Sequence, residues 1–118
     1  MFDESTVRRF FSHLNDRNLD EISAFLHDDA VFFFPKTRPL EGIERIRRFF
    51  SILFKQFPEL HFTIQGMIIQ DRTAAVHWTN RGINRKGKPY ENEGVTWLES
   101  EEGRIRLISD FFKDTEKF

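Results

Sequence analysis

One carboxylate late in the chain has an apolar setting that could suit it to proton transfer. Asp110 stands in the run Ile108-Ser109-Asp110-Phe111-Phe112, a carboxylate against two phenylalanines. Apolar neighbours strip water from a carboxylate and raise its pKa toward the range useful for proton transfer. Strand parity works against that role. In a regular strand Ile105, Leu107, Ser109 and Phe111 share one face, and Asp110 falls with Arg104 and Arg106 on the more polar side. Only a bulge near Ser109, or strong bending, turns Asp110 inward. Without one it reads as a structural carboxylate, paired to an arginine or capping a backbone group.

The other reactive residue types form no motif. His13, His27, His61 and His77 show no spacing that puts two ligands on one helical face, so no metal site is expected. There is no cysteine, which excludes disulfides, thiolate nucleophiles and cysteine-type zinc sites. No glycine-rich phosphate loop is present: Gly82 and Gly87 sit near a hairpin and Gly94 is isolated. A net charge of -1, from 18 basic and 19 acidic residues, gives no electrostatic footprint for nucleic acid. No apolar run approaches the length of a membrane span, and the N-terminus carries Asp3 and Glu4 where a signal peptide is apolar. A soluble, cytoplasmic protein without cofactor is the expectation.

What the chain does hold is aromatic bulk: 15 Phe, two Trp and one Tyr in 118 residues. That much either fills a thick core or lines a cavity. Trp78 and Trp97 lie on neighbouring predicted strands, where they wall an apolar pocket or pack the sheet against a helix or a dimer mate. Of Phe32, Phe33 and Phe34, at least one must point away from the core, because successive strand side chains alternate.

The elements that must position these residues follow from periodicity. Val7, Phe10, Phe11 and Leu14 mark one face of a helix from Asp3 to Asn15. Asn18 with Glu21 reads as a capping box opening a second short helix that carries Leu19, Ile22 and Leu26 inward. Val31 to Phe34 reads as a short strand buried on both sides, and Pro35 to Pro39 as a loop. A third, long helix follows, with Ile43, Ile46, Phe50, Leu53, Phe54 and Phe57 as its stripe, Arg45, Arg47 and Arg48 mostly facing away, and Pro58 as its stop. From Leu60 the period becomes two. Phe62, Ile64 and Ile68 share one face, as do Ala74, Val76 and Trp78; Tyr90 to Glu99 and Arg104 to Lys113 complete four long strands. Helices gathered before a meander make one α+β domain over residues 1–118. Strands of this length must bend to wrap a single helix, which leaves a conical cavity of the kind that takes small ligands.

This layout resembles the nuclear transport factor 2-like superfamily, and within it the SnoaL-like and ketosteroid-isomerase-like proteins of cystatin-like fold. The likeness rests on Val7-Arg8-Arg9-Phe10-Phe11, Asn18-Leu19-Asp20, Asp28-Asp29-Ala30-Val31, Leu40-Glu41-Gly42-Ile43, Pro58-Glu59-Leu60-His61-Phe62, Gly103-Arg104-Ile105 and Asp110-Phe111-Phe112. It implies a cone-shaped, strongly curved antiparallel sheet around the long helix, a pocket for a small apolar molecule, no metal, and a homodimer packed through the sheet. The steroid-isomerase scheme does not carry over. Its carboxylate base would fall on Phe34, its helix-one tyrosine near Phe10, and its oxyanion acid near Glu93 or Val95. The SnoaL-like cyclases use a late aspartate as acid and base, and Asp110 matches that position. Epoxide opening, a third chemistry of the superfamily, would draw on Asp110, Arg81, Glu93, Tyr90 and Asn80, but adjacent Asn80 and Arg81 point to opposite faces of a regular strand. The expected function is therefore binding of a small apolar molecule, with acid–base catalysis of cyclase or isomerase type through Asp110. Phe10, Phe34, Phe50, Trp78, Tyr90, Trp97 and Phe112 are the expected pocket walls. The alternative is a non-catalytic dimeric module whose cone is filled by aromatics.

Overall fold

The computed structural model describes residues 2–116. Two helices come first. α1 (Glu4–Asp16) is opened by Asp3, whose carboxylate accepts the Thr6 N–H at 2.9 Å, and it buries Val7, Phe10, Phe11 and Leu14. Arg17 ends it in the left-handed region at φ 59. α2 (Leu19–Ala24) is capped by Asn18, which accepts the Glu21 N–H. It is shorter than its apolar pattern predicts, and Leu26 instead opens strand β1 (Leu26–Phe33). The reason is local. Between Leu26 and Val31 the register of β1 shifts, and this irregular stretch hides the strand from a period-two reading. β1 is not buried on both sides either, since Phe32 is enclosed and Phe33 is 41 % exposed. A two-residue strand, β2 (Leu40–Glu41), pairs with β1 and leads through Gly42 into α3 (Ile43–Gln56).

Four long strands follow: β3 (Glu59–Gln70), β4 (Thr73–Ile83), β5 (Pro89–Glu101) and β6 (Arg104–Phe112). The sheet order is β2-β1-β6-β5-β4-β3. All neighbours are antiparallel except β1 and β6, which run parallel. Two bulges decide which side chains face inward. The first, at Gln65, sends Met67 and Ile69 inward and leaves Ile68 75 % exposed, contrary to simple alternation from Phe62 and Ile64. The second matters more. Leu107 pairs with Glu99 but Ile105 with Ser100, so Arg106 is extra. Ile105 faces in before this bulge; after it Ile108, Asp110 and Phe112 do, and Phe111 is 61 % exposed.

Helix packing leaves a space over the sheet. α1 lies on β3, while α3 leans on β1 and β2. Two polar ties fix this splayed arrangement. The Asn15 amide donates to Phe62 O at 3.0 Å and accepts from Phe62 N at 2.7 Å, serving β3 as a short edge partner. Arg17 donates to Phe57 O at 2.9 Å, satisfying a carbonyl at the end of α3. Arg47, expected to face solvent, donates to Asp20 at 2.7 Å and to Ser23 at 3.2 Å and ties α3 to α2. Among the described residues no helix is long and apolar enough to cross a membrane.

Gly94 is required on β5. A Cβ there would stand 2.4 Å from Phe111 O and 2.9 Å from the Trp78 ring, which lies across the strand in the space the glycine leaves. We expect Gly94→Ala to lower stability by about 1–3 kcal/mol through overpacking, read as a lower urea midpoint. A change within about 0.5 kcal/mol, the range of ordinary surface substitutions, would contradict this packing.

Candidate functional site

Between α1, α3 and the concave face of the sheet lies a cavity of about 340 Å³. Aromatic rings are the largest group in its walls: Phe10 and Phe11 from α1, Phe32 from β1, Phe49 and Phe50 from α3, Phe112 from β6. The rings lock one another. Phe34, just beyond β1, has its centroid 4.6 Å from Phe49 and 5.2 Å from Phe112, and Phe32 stacks on Phe50 at 5.5 Å. Polar groups on this surface are few, and Asp110 is the carboxylate among them.

Asp110 reaches the cavity because of the bulge at Arg106, not one near Ser109. The residue keeps part of its surface open, as the wall of an accessible cavity does. Protein still surrounds it closely, and burial pushes its carboxyl up to about 7. The opposing influence is the Thr96 hydroxyl, which donates to Asp110 Oδ1 at 2.6 Å. Thr96 is itself held. The Trp78 Nε1–H donates to Thr96 Oγ1 at 2.8 Å. An indole N–H can only donate, so Thr96 accepts from Trp78 and its own proton must go to Asp110. Oδ1 is thereby fixed as an acceptor, and when the acid is protonated the proton sits on Oδ2. Near pH 7 Asp110 is therefore divided between its two forms in an apolar cavity, the acid able to give a proton to an oxygen and the carboxylate able to take one from carbon.

The structure sorts the expected pocket residues into three groups. Phe10, Phe34, Phe50, Tyr90 and Phe112 line the cavity. Trp78 stands one layer back, fully buried, with its ring against Phe62 and Phe112. Trp97 is a correction: it lies on the outer face of the sheet, 40 % exposed, and its Nε1–H donates to Glu99. Its parity on β5 is opposite to that of Thr96 and Leu98, which face in. Lys36, Thr37 and Gln56 also line the cavity; of the inward polar residues on the strands, Thr96 from β5 had no role in the sequence reading and Asn80 from β4 entered it only in the epoxide scheme. Their signal was parity: Asn80 continues the inward series Ala74, Val76, Trp78, and Thr96 shares its face with Leu98.

The residues needed for epoxide opening do not converge. Arg81 is exposed. Glu93 faces outward, where His77 Nε2 at 2.5 Å and Lys113 Nζ at 3.0 Å hold its carboxyl below the usual range. Val95 shares that parity, so neither Glu93 nor Val95 supplies an acid to the cavity.

His27 lies near Glu101 and Glu102, their ligand atoms within 4.8 Å of one another. These residues are far apart in sequence, so spacing could not have found the group. His27 Nδ1, however, accepts the Asp29 N–H at 3.1 Å. That leaves the ring proton of a neutral His27 on Nε2, pointing at the two carboxylates, where a metal ligand would need a free lone pair. The cluster reads as a polar tie between β1 and the β5–β6 turn.

Comparison with known proteins agrees with this fold. The SnoaL-like domain family model matches residues 7–108. The structure superposes on an NTF2-like protein of unknown function from Burkholderia pseudomallei K96243 with a TM-score of 0.86, at 20 % identity over 92 % of this chain and 88 % of that one. It superposes with a TM-score of 0.87 on a hypothetical protein of ketosteroid isomerase-like fold from Catenulispora acidiphila DSM 44928, in complex with trimethylamine, at 13 % identity over 98 % of this chain and 91 % of that one. TerC co-crystallized with polyporic acid gives 0.83, at 16 % identity over 92 % of this chain and 89 % of that one. Among curated proteins none matches.

The raised Asp110 value has a thermodynamic consequence. An unfolded aspartate titrates near 3.9, the native one at about 7. Between those values the native state holds a proton the unfolded state has lost, so stability from this group falls as pH rises from about 4 to about 7 and is level above. Asn in place of Asp110 keeps the Oδ1 acceptor and removes the titration. The variant's stability relative to wild type should therefore climb across that window and plateau, by on the order of 2–4 kcal/mol. Urea unfolding at several pH values reads it, and a flat difference would show that Asp110 is not desolvated.

Proposed function

The chain belongs to the SnoaL-like domain family and has the NTF2-like fold, and on that premise we propose that its cavity binds a small, largely apolar molecule on which Asp110 acts as acid and base. The observation that carries this reading is a desolvated carboxyl, oriented by Thr96, on the wall of an open aromatic cavity. A carboxylate costs free energy in such surroundings. A fold needing only stability would place an apolar side chain there. The open volume beside Asp110 also argues against an aromatic-filled interaction module, in which phenylalanine would occupy that space. Two structural neighbours were crystallised with small organic molecules, which fits a ligand site in this fold.

The chemistry that suits one such carboxyl group among aromatic rings is proton transfer at a carbonyl compound. Asp110 protonates the oxygen, or its conjugate base removes an adjacent carbon-bound proton, as cyclase and isomerase reactions require. The steroid-isomerase arrangement is not reproduced, because Phe34 and Phe10 supply no base and no hydroxyl. A thermal-shift screen of apolar ketones, epoxides and aromatic polyketides tests the site. We expect a ketone or polyketide to raise the melting temperature by about 4 °C at tenfold excess over its Kd, and Asp110→Asn to lose most of that shift. Equal shifts in both proteins would remove Asp110 from the site.

The outer face of the sheet supports a proposal of self-association. Phe33, Ser109, Trp97, Ala75 and Ile68 form one row across five strands. Phe111, Val95 and His77 form the next. Large apolar side chains grouped on an exposed sheet face mark interaction surfaces, and a second copy of the chain presents the same rows. Sedimentation velocity should find a dimer that Trp97→Glu or Phe111→Glu converts to monomer. A monomeric wild type at tens of micromolar would reject this assembly.

A further inference from the structure

The cavity has a second polar end. Asp110 pairs with Thr96 and Asn80 with Asn92, so the two inward polar residues are separated by two strands and by four residues along β5. That is about 13 Å along the strand direction at about 3.3 Å per residue. Asn80 is only 5 % exposed and lines the cavity, yet its Oδ1 has no hydrogen-bond partner among the described residues. Buried amide oxygens are nearly always paired, so an orphan on a cavity wall calls for a partner from the occupant.

A second group at this end points the same way. Tyr90 lines the cavity, and its hydroxyl accepts from Asn92 Nδ2 at 3.3 Å. Asn92 cannot return the favour: its Oδ1 accepts from Glu93 N at 2.9 Å and Asp114 N at 3.3 Å, while Nδ2 also donates to Asp114 O at 2.8 Å. The Tyr90 proton is left to donate elsewhere. Burial pushes the Tyr90 hydroxyl above its usual range, so it remains a donor at any ordinary pH. Asn80 and Tyr90 are diagonal neighbours across β4 and β5, and Gly82 opposite Tyr90 puts no side chain between them.

At this end the groups without a partner among the described residues are an acceptor, Asn80 Oδ1, and a donor, the Tyr90 proton, and both belong to uncharged side chains. A ketone oxygen would use the Tyr90 proton and leave Asn80 Oδ1 unpaired. An ammonium would serve Asn80 and oppose the Tyr90 proton. A hydroxyl does both, donating to Asn80 Oδ1 and accepting from Tyr90. We propose that Asn80 and Tyr90 form a hydroxyl-binding subsite, and that the ligand is an apolar molecule with an oxygen at the Asp110 end and a hydroxyl at the far end. This rests on the reading of the cavity as a ligand site and adds to it the determinant of specificity.

The test compares acetylnaphthalene with its analogue hydroxylated on the far ring, by calorimetry at a pH about one unit below the Asp110 value. The proteins are wild type, Asn80→Leu, Tyr90→Phe, Asp110→Asn and an outer-face control, Ile68→Ser. Wild type and the control should prefer the hydroxylated compound by tenfold or more, since a site built to bond a hydroxyl discriminates strongly against its absence. Asn80→Leu and Tyr90→Phe should each reduce the preference to about threefold or less. The preference is a ratio within one protein, so a general loss of affinity does not imitate it. If both compounds bind wild type equally and Asp110→Asn weakens both, the subsite is overturned and the ligand site stands. If neither binds wild type, or binding ignores Asp110→Asn, the cavity reading falls and the subsite with it.

Discussion

An indole N–H donates a hydrogen bond and cannot accept one, and the polar order of the cavity follows from that. Trp78 gives its proton to Thr96, Thr96 gives its own to Asp110, and Asp110 is left with one oxygen committed and one free. The chain of bonds exists only because the Trp78 ring can lie across β5, and it can do so only because residue 94 is glycine. Backbone proximity, ring placement, hydroxyl direction and carboxyl orientation are links in one sequence of causes. Each would be unfavourable alone, a buried indole N–H or threonine hydroxyl without a partner above all.

The second constraint is the space itself. Aromatic rings pack well, and a domain with this many phenylalanines has the material to close its cone. It stays open because α3 leans toward β1 and β2 while α1 is held to β3 by Asn15. The Arg17 contact to Phe57 keeps the end of α3 near the end of α1. Polar ties at the edges therefore fix where the two helices sit, and the space between them stays open. An empty apolar cavity costs stability, and the aromatic edge-to-face contacts around it offset part of that cost.

Much of this was legible in the residues and some was not. The stripe of α3, the inward series Ala74, Val76 and Trp78, and the helix-before-meander order follow directly from periodicity. They are local patterns in which every residue reports its own environment. Register shifts are not local. The bulge at Arg106 is an extra residue opposite Glu99 and Ser100, visible only when two strands are paired. It reverses the face of everything after it, which is why Asp110 reads outward by parity and lies inward in the fold. The bulge at Gln65 misleads in the same way for Ile68. Trp97 failed for a different reason: it keeps its parity, but a tryptophan on a long strand does not announce which face is concave.

Phe34 gains its meaning from the parallel pairing of β1 with β6. Phe33 pairs with Ser109, so the residue after Phe33 lies beside the residue after Ser109. Phe34 and Asp110 are thus brought to the same wall, with Phe112 against Phe34 at 5.2 Å. A carboxylate at position 34 would put two acids side by side, each raising the other's pKa, in the manner of a shared-proton pair. Phenylalanine instead removes water from the one acid that remains. Phe34 thus belongs to the apolar surroundings of Asp110. On the proposed reading, one phenylalanine both leaves position 34 without a base and helps keep water from the acid on β6, and the two strands must be hydrogen-bonded neighbours for it to do so.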